Sequence, residues 1–415
     1  MQTFLPLIRS EWRLLLFGFT MTFCSCFGQT YFIALFSGQI RTDLALGHGE
    51  FGAVYSAATL ASALLLLKTG SLIDRLDLRR FAYMVTFGLA LGGLLLAAAA
   101  SLPMLFMAIL VLRHTGQGLM GMAGSTTMVR YLPAEKGKAS AISGMGYSVS
   151  EALLPTVVVI MLATIGWRES WLAWSLLIAL ALPLVVYRLL QGHDRRHADY
   201  LATLTTPGDS SDDIAIPRQR QWTRDEVIRD PLFYLFLPAL LTTPMLFTGF
   251  MFHQVHLVES KGWSLAIWGS LYTVYAVVST VMKLFSGLLV DRFGAMRLVP
   301  VMVLPMGLGL LILAAGDSLA VAAVFMVLLG ITVGGYATIS SPFFAEKYGT
   351  LHMGSIKSVT TAAMVFSSAI SPVLMGWLID LGVSMEVQAL GGVAYIVVAA
   401  VLARIALSRA TSGAP

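Results

Sequence analysis

The sequence predicts an all-α membrane protein of twelve transmembrane helices arranged as two pseudo-symmetric six-helix bundles. Three observations carry that expectation. Of 415 residues, 57% are hydrophobic and 12% charged, and the mean hydropathy is +0.80; ordinary soluble domains carry about 25% charged residues. Apolar runs of about 20 residues, enough to cross a ~30 Å hydrocarbon core at ~1.5 Å per residue, recur along the chain, and runs of that length suit helices rather than barrel strands. Polar loops in the first half of the chain recur at matching places in the second half. A soluble enzyme is excluded, and no enzymatic activity is expected.

Taken in order, the first apolar segment covers 13–37. It is too long for the apolar core of a signal peptide and no small-residue cleavage site follows, so it reads as a helix of the mature protein. Cys24 and Cys26 lie in it, where apolar burial is the expected role, because C-x-C alone is poor support for a metal; no metal site and no cofactor are expected. The next spans fall near 51–69, 81–100, 104–127, 139–164 and 169–189, set off by Gly, Pro and charge. Residues 191–231 are polar and charged, unlike anything else in the chain, and read as a linker. A second set of spans follows near 233–257, 264–288, 297–315, 318–342, 355–378 and 389–408. The expected domains are therefore an N-terminal bundle over 1–190, the linker over 191–231 and a C-terminal bundle over 232–415.

Charge sets the orientation. With both termini in the cytoplasm, only three of the 27 Lys and Arg fall in outer segments (Arg41, Arg168, Lys261) and two fall within spans (Arg113, Lys283), the asymmetry the positive-inside rule demands. The sequence pI of about 9.2 is explained by topology, so no nucleic-acid partner is expected. Basic residues of the linker either meet anionic lipid or are simply solvated. The expected location is the cell membrane, inner or plasma, and the expected oligomeric state is a monomer.

The loops repeat. "GSLIDRLDLRR" after the second span matches "GLLVDRFGAMR" after the eighth, and "PAEKGKAS" after the fourth matches "FAEKYGTLHMGS" after the tenth. The pattern G-x-x-x-D-R followed by basic residues resembles the signature loop of the major facilitator superfamily. Gly70, Asp74, Arg75, Arg79 and Arg80 match it, with Asp77 where the family pattern has Gly; Gly287, Asp291, Arg292, Gly294 and Arg297 match in the second copy. The resemblance implies a gating role for these residues, with Gly permitting close helix contact and Asp pairing with Arg across the turn. A role in fixing topology alone is the plainer reading. "WTRDEVIRDPLFYLFL", "HQVHLVESKGWS" and "GGYATISSPFFAEKYG" resemble the oxalate:formate antiporter and monocarboxylate transporter branch, which implies a small carboxylate as substrate.

Ionisable side chains inside a span cost about 3 kcal/mol on insertion scales and mark substrate or proton paths. Glu151 is the one carboxylate deep in a span, and Arg113 and Lys283 are the deep cations. Arg113 lies roughly 13 Å and Glu151 roughly 20 Å from the outer ends of their spans, counted at ~1.5 Å per residue. They are near enough to meet, either as a structural pair or as a proton-coupling or substrate element. Lys283 precedes Asp291 by eight positions, roughly 12 Å along a helix, so it either snorkels toward the cytoplasm or contacts substrate. The second reading leans on the resemblance, which implies a substrate-associated Arg at this place; Lys supplies the charge without the bidentate fork.

Gln29, Tyr31, Gln117, Tyr275 and Tyr336 complete the substrate-binding candidates, with Tyr55, His114 and Tyr272 as further polar groups; for each, an interhelical hydrogen bond is the plainer role. His253 and His256 sit near the outer end of the seventh span, as interfacial residues or proton sensors. "GHGEFG" at 47–52 satisfies G-x-G-x-x-G but joins two membrane helices and follows no strand, so it is discounted as a nucleotide loop. No Walker A loop, HExxH or G-x-S-x-G elbow occurs. "SGMGYSVSEALLPTVVV" lacks the Gly-Pro signature that the fifth span of drug/proton antiporters carries. The expected function is secondary transport of a small organic anion, a mono- or dicarboxylate, by alternating access, through proton coupling or exchange. The alternatives are a proton-coupled multidrug or metabolite exporter using Glu151 and a Met-rich cavity, and a non-transporting receptor.

Overall fold

A computed structural model describes residues 5–70, 72–132, 135–198, 220–349 and 353–412, and among these the secondary structure is helical throughout. The helices that correspond to the twelve expected spans are α1 (Leu5–Cys24), α2 (His48–Thr69), α3 (Leu78–Ala97) and α4, which runs through three segments, Leu102–Leu112, Arg113–Met120 and Gly121–Tyr131; then α5 (Lys136–Thr164) and α6 (Gly166–Leu189). The second set is α7, in segments Pro231–Thr242, Thr243–Phe247 and Thr248–Phe252; α8 (Leu265–Phe293); α9, in segments Ala295–Met302 and Leu304–Ala315; α10 (Leu319–Tyr348); α11 (Met353–Asp380) and α12 (Met385–Ser412). Eleven helices among the described residues are long and apolar enough to cross a bilayer.

The twelfth is the first span, and here the structure corrects the expectation. The expected helix over 13–37 is not continuous: α1 ends at Cys24, a tight 3-10 turn covers Ser25–Gly28, Gln29 is extended at φ −83 and ψ 150, and helix resumes over Thr30–Ala34. No proline causes the break. A Cβ added to Gly28 would stand 2.3 Å from the Leu112 carbonyl oxygen and 2.4 Å from the Gln117 nitrogen, and one added to Gly116 would stand 2.7 Å from the Gly28 nitrogen. Two backbones meet at a place where only glycines fit, and the turn follows from that approach.

The chain folds into two compact units, Met1–Ile33 with Ala57–Leu154 and Ile160–Pro217, and Ala34–Ser56 with Pro155–Val159 and Arg218–Pro415. In the first, α3 lies between α4 and α6, and Phe32 meets Trp171 edge-on at 5.6 Å between centroids. In the second, α10 packs on α8 and α9, and α12 on α7 and α9. Leu180 and Leu184 on α6, and Leu284 and Leu288 on α8, are each at least 67% exposed. An i, i+4 apolar row of this kind is the face a membrane helix turns to lipid.

Helix ends are satisfied by named groups. Asp77 caps α3, its Oδ1 accepting from the backbone N–H of Arg79 at 2.9 Å and of Arg80 at 3.3 Å; the departure from the family pattern at 77 therefore has a structural use. In the second copy the Glu346 carboxylate reaches from α10 to accept from Ala295 N–H at 2.5 Å and Met296 N–H at 3.2 Å at the start of α9. Asp230 caps α7 through Leu232 N–H at 3.0 Å and accepts from the Tyr348 hydroxyl at 3.1 Å.

Candidate functional site

The break in the first span collects the deep polar groups of the first unit. Arg113 opens the π-helical segment of α4, whose wider turn admits one residue more than an α-helix and so re-aims the side chains around it. Its guanidinium is 3% exposed, and Nη1 donates to the Gly28 carbonyl at 2.9 Å and to Thr30 Oγ1 at 3.4 Å. A cation thus sits on the carbonyl left at the end of a broken helix, where the helix dipole also favours positive charge.

From α5 a second row faces the same break. The Tyr147 hydroxyl bonds Ser25, Tyr31 Oη lies 3.3 Å from Ser150 Oγ, and Glu151 lies within electrostatic reach of Cys26 and Tyr147. Gln29 closes the turn locally, its Nε2 donating to Ser25 Oγ at 3.3 Å. Arg113 thus bonds the end of this turn, at Gly28 and Thr30, and Glu151 acts electrostatically on its start, at Cys26. Gln117, on the same π segment, is exposed although it stands in mid-span. Tyr31 is only 4% exposed, so its ring serves packing and its hydroxyl the Ser150 contact. His114 Nε2 meets Thr69 Oγ1 at 3.1 Å, a link between α4 and α2.

The second unit is built differently. A π-helical segment again interrupts its first helix, at Thr243–Phe247, where Pro244 supplies no N–H. A cavity of about 170 Å³ lies between α7, α10 and α11, lined by Leu240, Leu241, Phe344 and Met364 together with the hydroxyl residues Tyr336 and Thr360. Tyr336 donates to Met364 Sδ at 3.1 Å. Among the described residues no charged one lines it, and Lys283 is outside that lining. Lys283 is half-buried on α8, and its backbone carbonyl accepts from Thr338 Oγ1 at 3.0 Å. A Cβ at Gly334 would meet the Ser279 carbonyl at 2.4 Å and the Lys283 nitrogen at 3.2 Å, so backbone contact seats this stretch of α8 on α10.

Tyr275 is 1% exposed and stacks on Phe247 at 6.0 Å, which makes it a packing residue of the α7–α8 seam. Tyr272 donates to Gln254 Oε1 at 2.7 Å, beside Trp268 Nε1 at 2.9 Å. Sequence reasoning missed Gln254 and Ser25, whose signal is weak, since a lone polar residue in a span end is common.

Of the gating candidates, the Arg79 guanidinium caps the end of α6 through the Leu190 carbonyl at 2.7 Å and pairs with Asp194 at 3.3 Å. Gly70 is tight, its Cβ position 3.3 Å from Met122 Cε. At Gly287 a Cβ meets no described atom within 4 Å. Gly294 ends α8 at φ +80, a conformation that favours glycine. Arg80, Arg292 and Arg297 are at least partly exposed, and Arg292 lies over the Phe293 ring at 5.2 Å. The side chains of Asp74, Arg75 and Asp291 lie outside the described residues, as does most of the linker.

The model of the Major Facilitator Superfamily matches residues 18–267 and 247–414. The chain belongs to the major facilitator superfamily. Its fold is similar to that of a bacterial homologue of the human lysosomal transporter Spinster, with a TM-score of 0.67 at 15% identity over 96% of each chain. It is also similar to the nucleoside transporter NupG, with a TM-score of 0.70 at 13% identity over 96% of this chain and 98% of that one. No curated protein matches the sequence. The superfamily member described here is thus a transporter of a small molecule across a membrane.

Proposed function

We propose that this superfamily member is a secondary active transporter of a small organic anion, a mono- or dicarboxylate, working by alternating access with proton coupling or exchange. The observation that carries the reading is Arg113: a 3%-exposed guanidinium held at a helix break, with Glu151 within electrostatic reach of Cys26 in that break. A buried cation at the end of a discontinuous helix is a counter-charge for a carboxylate, and Glu151 would supply a proton carrier. Lys283 contributes a second positive charge from the other half of the sequence. Both termini are cytoplasmic in this reading, which the distribution of Lys and Arg supports.

The cavity beside Tyr336, whose described lining is apolar and hydroxyl-bearing, favours a second reading, a proton-coupled exporter of neutral or lipophilic compounds. Thermal-shift measurement against mono- and dicarboxylates, followed by uptake of the hits into proteoliposomes, separates the two. Carboxylates that raise the unfolding midpoint and enter the vesicles support the anion reading. Stabilisation by uncharged lipophilic compounds alone overturns it.

A further inference from the structure

The G-x-G-x-x-G match at 47–52 has a use that is not nucleotide binding. Asp380 is the last residue of α11, a 28-residue helix, and a carboxylate at that end faces the negative pole of its own helix dipole. Its compensation comes from the start of α2. His48 N–H donates to Asp380 Oδ1 at 2.9 Å, and Gly49 N–H donates to Oδ2 at 2.7 Å. The carboxylate thus occupies the anion-attracting N-terminus of a 22-residue helix, two of whose first N–H groups have no intrahelical partner.

Glycines make that approach possible. A Cβ at Gly49 would stand 2.0 Å from Trp377 Cδ1, one at Gly52 would stand 2.6 Å from the Pro372 carbonyl oxygen, and one at Gly376 would stand 2.5 Å from the His48 carbonyl oxygen. The seam is therefore backbone against backbone, closed by one carboxylate. Beneath it Phe51 stacks on Phe252 at 5.2 Å and Tyr55 packs on the same ring at 4.6 Å, both nearly fully buried. Above it the His48 ring rests on His256 at 4.4 Å.

α2 belongs to both compact units, its first nine residues to the second and the rest, from Ala57, to the first. A helix shared in this way cannot stay attached to both units if they move apart, as alternating access requires. Its glycine-lined start meets α11 by backbone, at Gly52 against Pro372 and Gly376 against His48.

We propose that Asp380 is the positioning residue of a releasable latch, in which its carboxylate holds the N-terminus of α2 on α11 and its loss lets that end of the protein open. With both termini cytoplasmic, the latch is on the outer face. The inference rests on the transporter reading and on that orientation, and is independent of the substrate.

The test uses the full-length protein in intact cells, with Cys24 and Cys26 replaced by Ser and a single reporter cysteine, labelled by a membrane-impermeant maleimide and normalised to labelling after denaturation. Tyr55→Cys reports the buried space under the latch; Thr86→Cys, on α3 and 0% exposed, reports general loosening. Asp380→Ala is expected to raise labelling at 55 by about tenfold, the order lost with two charge-assisted bonds at a helix N-terminus, and to leave position 86 unlabelled. Asp380→Asn, which keeps the acceptor shape without the charge, is expected to give a smaller rise. Unchanged labelling at 55 in Asp380→Ala overturns the latch. Equal rises at 55 and 86 overturn it too, because they mark a residue needed only for folding. Carboxylate transport is not read in this experiment, so failure of the anion reading leaves its outcome untouched.

Discussion

The two halves of the chain descend from one plan and bury their deep cations in opposite ways. In the first, Arg113 is 3% exposed, and its guanidinium bonds the Gly28 carbonyl across a broken span. In the second, Lys283 is half-buried, and its backbone carbonyl accepts from Thr338 Oγ1 on α10. Arginine's planar fork can serve a backbone carbonyl and a ligand together, whereas a lysine is a mobile point charge on a flexible stem. One cation is therefore nearly sealed inside the first unit, and the other is only half-buried.

Removing each cation breaks that comparison most sharply. Arg113→Ala leaves a helix-end carbonyl without its partner in a buried site, and the loss is expected to be about 2–3 kcal/mol of stability together with transport. The unfolding midpoint in detergent and proteoliposome uptake measure the two effects. Lys283→Ala is expected to leave the midpoint unchanged while weakening anion binding by about tenfold or more, the worth of one lost charge-assisted contact. Lys283→Arg should retain part of the affinity with altered selectivity. If Lys283→Ala transports at the normal rate and affinity, the lysine only snorkels and the two cations are not functional counterparts.

Glu151→Gln sharpens the first-half site. Transport should fall and lose its pH dependence while Arg113 still holds Gly28; an unchanged pH profile makes Glu151 a bystander. In the second unit, Lys261 is clamped by Asp317 at 2.5 Å and Glu386 at 2.8 Å. Burial pulls the Lys261 ammonium down, but the hydrogen bonds from Asp317 and Glu386 outweigh it, so it is held above the ordinary lysine range. Its contribution is present at neutral pH and is lost only as pH rises through that raised value. Lys261→Met should destabilise the second unit by about 1–2 kcal/mol, since it leaves one largely exposed and one partly exposed carboxylate facing each other.

The smallest effect is expected at the other end of the first unit. Burial, the largest influence, pushes the His193 imidazole from its ordinary 6.5 down to about 4. The folded protein keeps it neutral while the unfolded chain takes up a proton, so its share of stability is complete above pH 6.5 and is lost as pH falls toward 4. A His193→Gln variant should show a shallower fall of the unfolding midpoint over that window than the parent.

Caps show how far the repeat could be read. The matching loops "GSLIDRLDLRR" and "GLLVDRFGAMR" mark equivalent helix starts, and both starts carry a carboxylate cap, but Asp77 does it from within its own loop while Glu346 does it from α10. The first is a local Asp-x-Arg relation legible in the sequence. The second is a contact between residues 51 positions apart and left only the shared "AEK" as a trace. For Gly287, the family pattern suggested close packing, and among the described residues none stands within 4 Å of its Cβ position.

By itself the sequence determined the class of the protein, its spans, its repeat and its three deep charges, because transfer into a bilayer depends on composition over about 20 residues and needs no tertiary partner. Only the tertiary structure decided that the first span breaks at Ser25–Gly28, that Arg113 bonds the carbonyl there, and that the glycines of 47–52 receive Asp380. A break without proline carries no local signal, since it is made by another helix's backbone pressing where two glycines leave room. The same holds for a helix N-terminus whose cap comes from 331 positions away: local chemistry shows that the N–H groups want an acceptor, and only the fold says which one arrives.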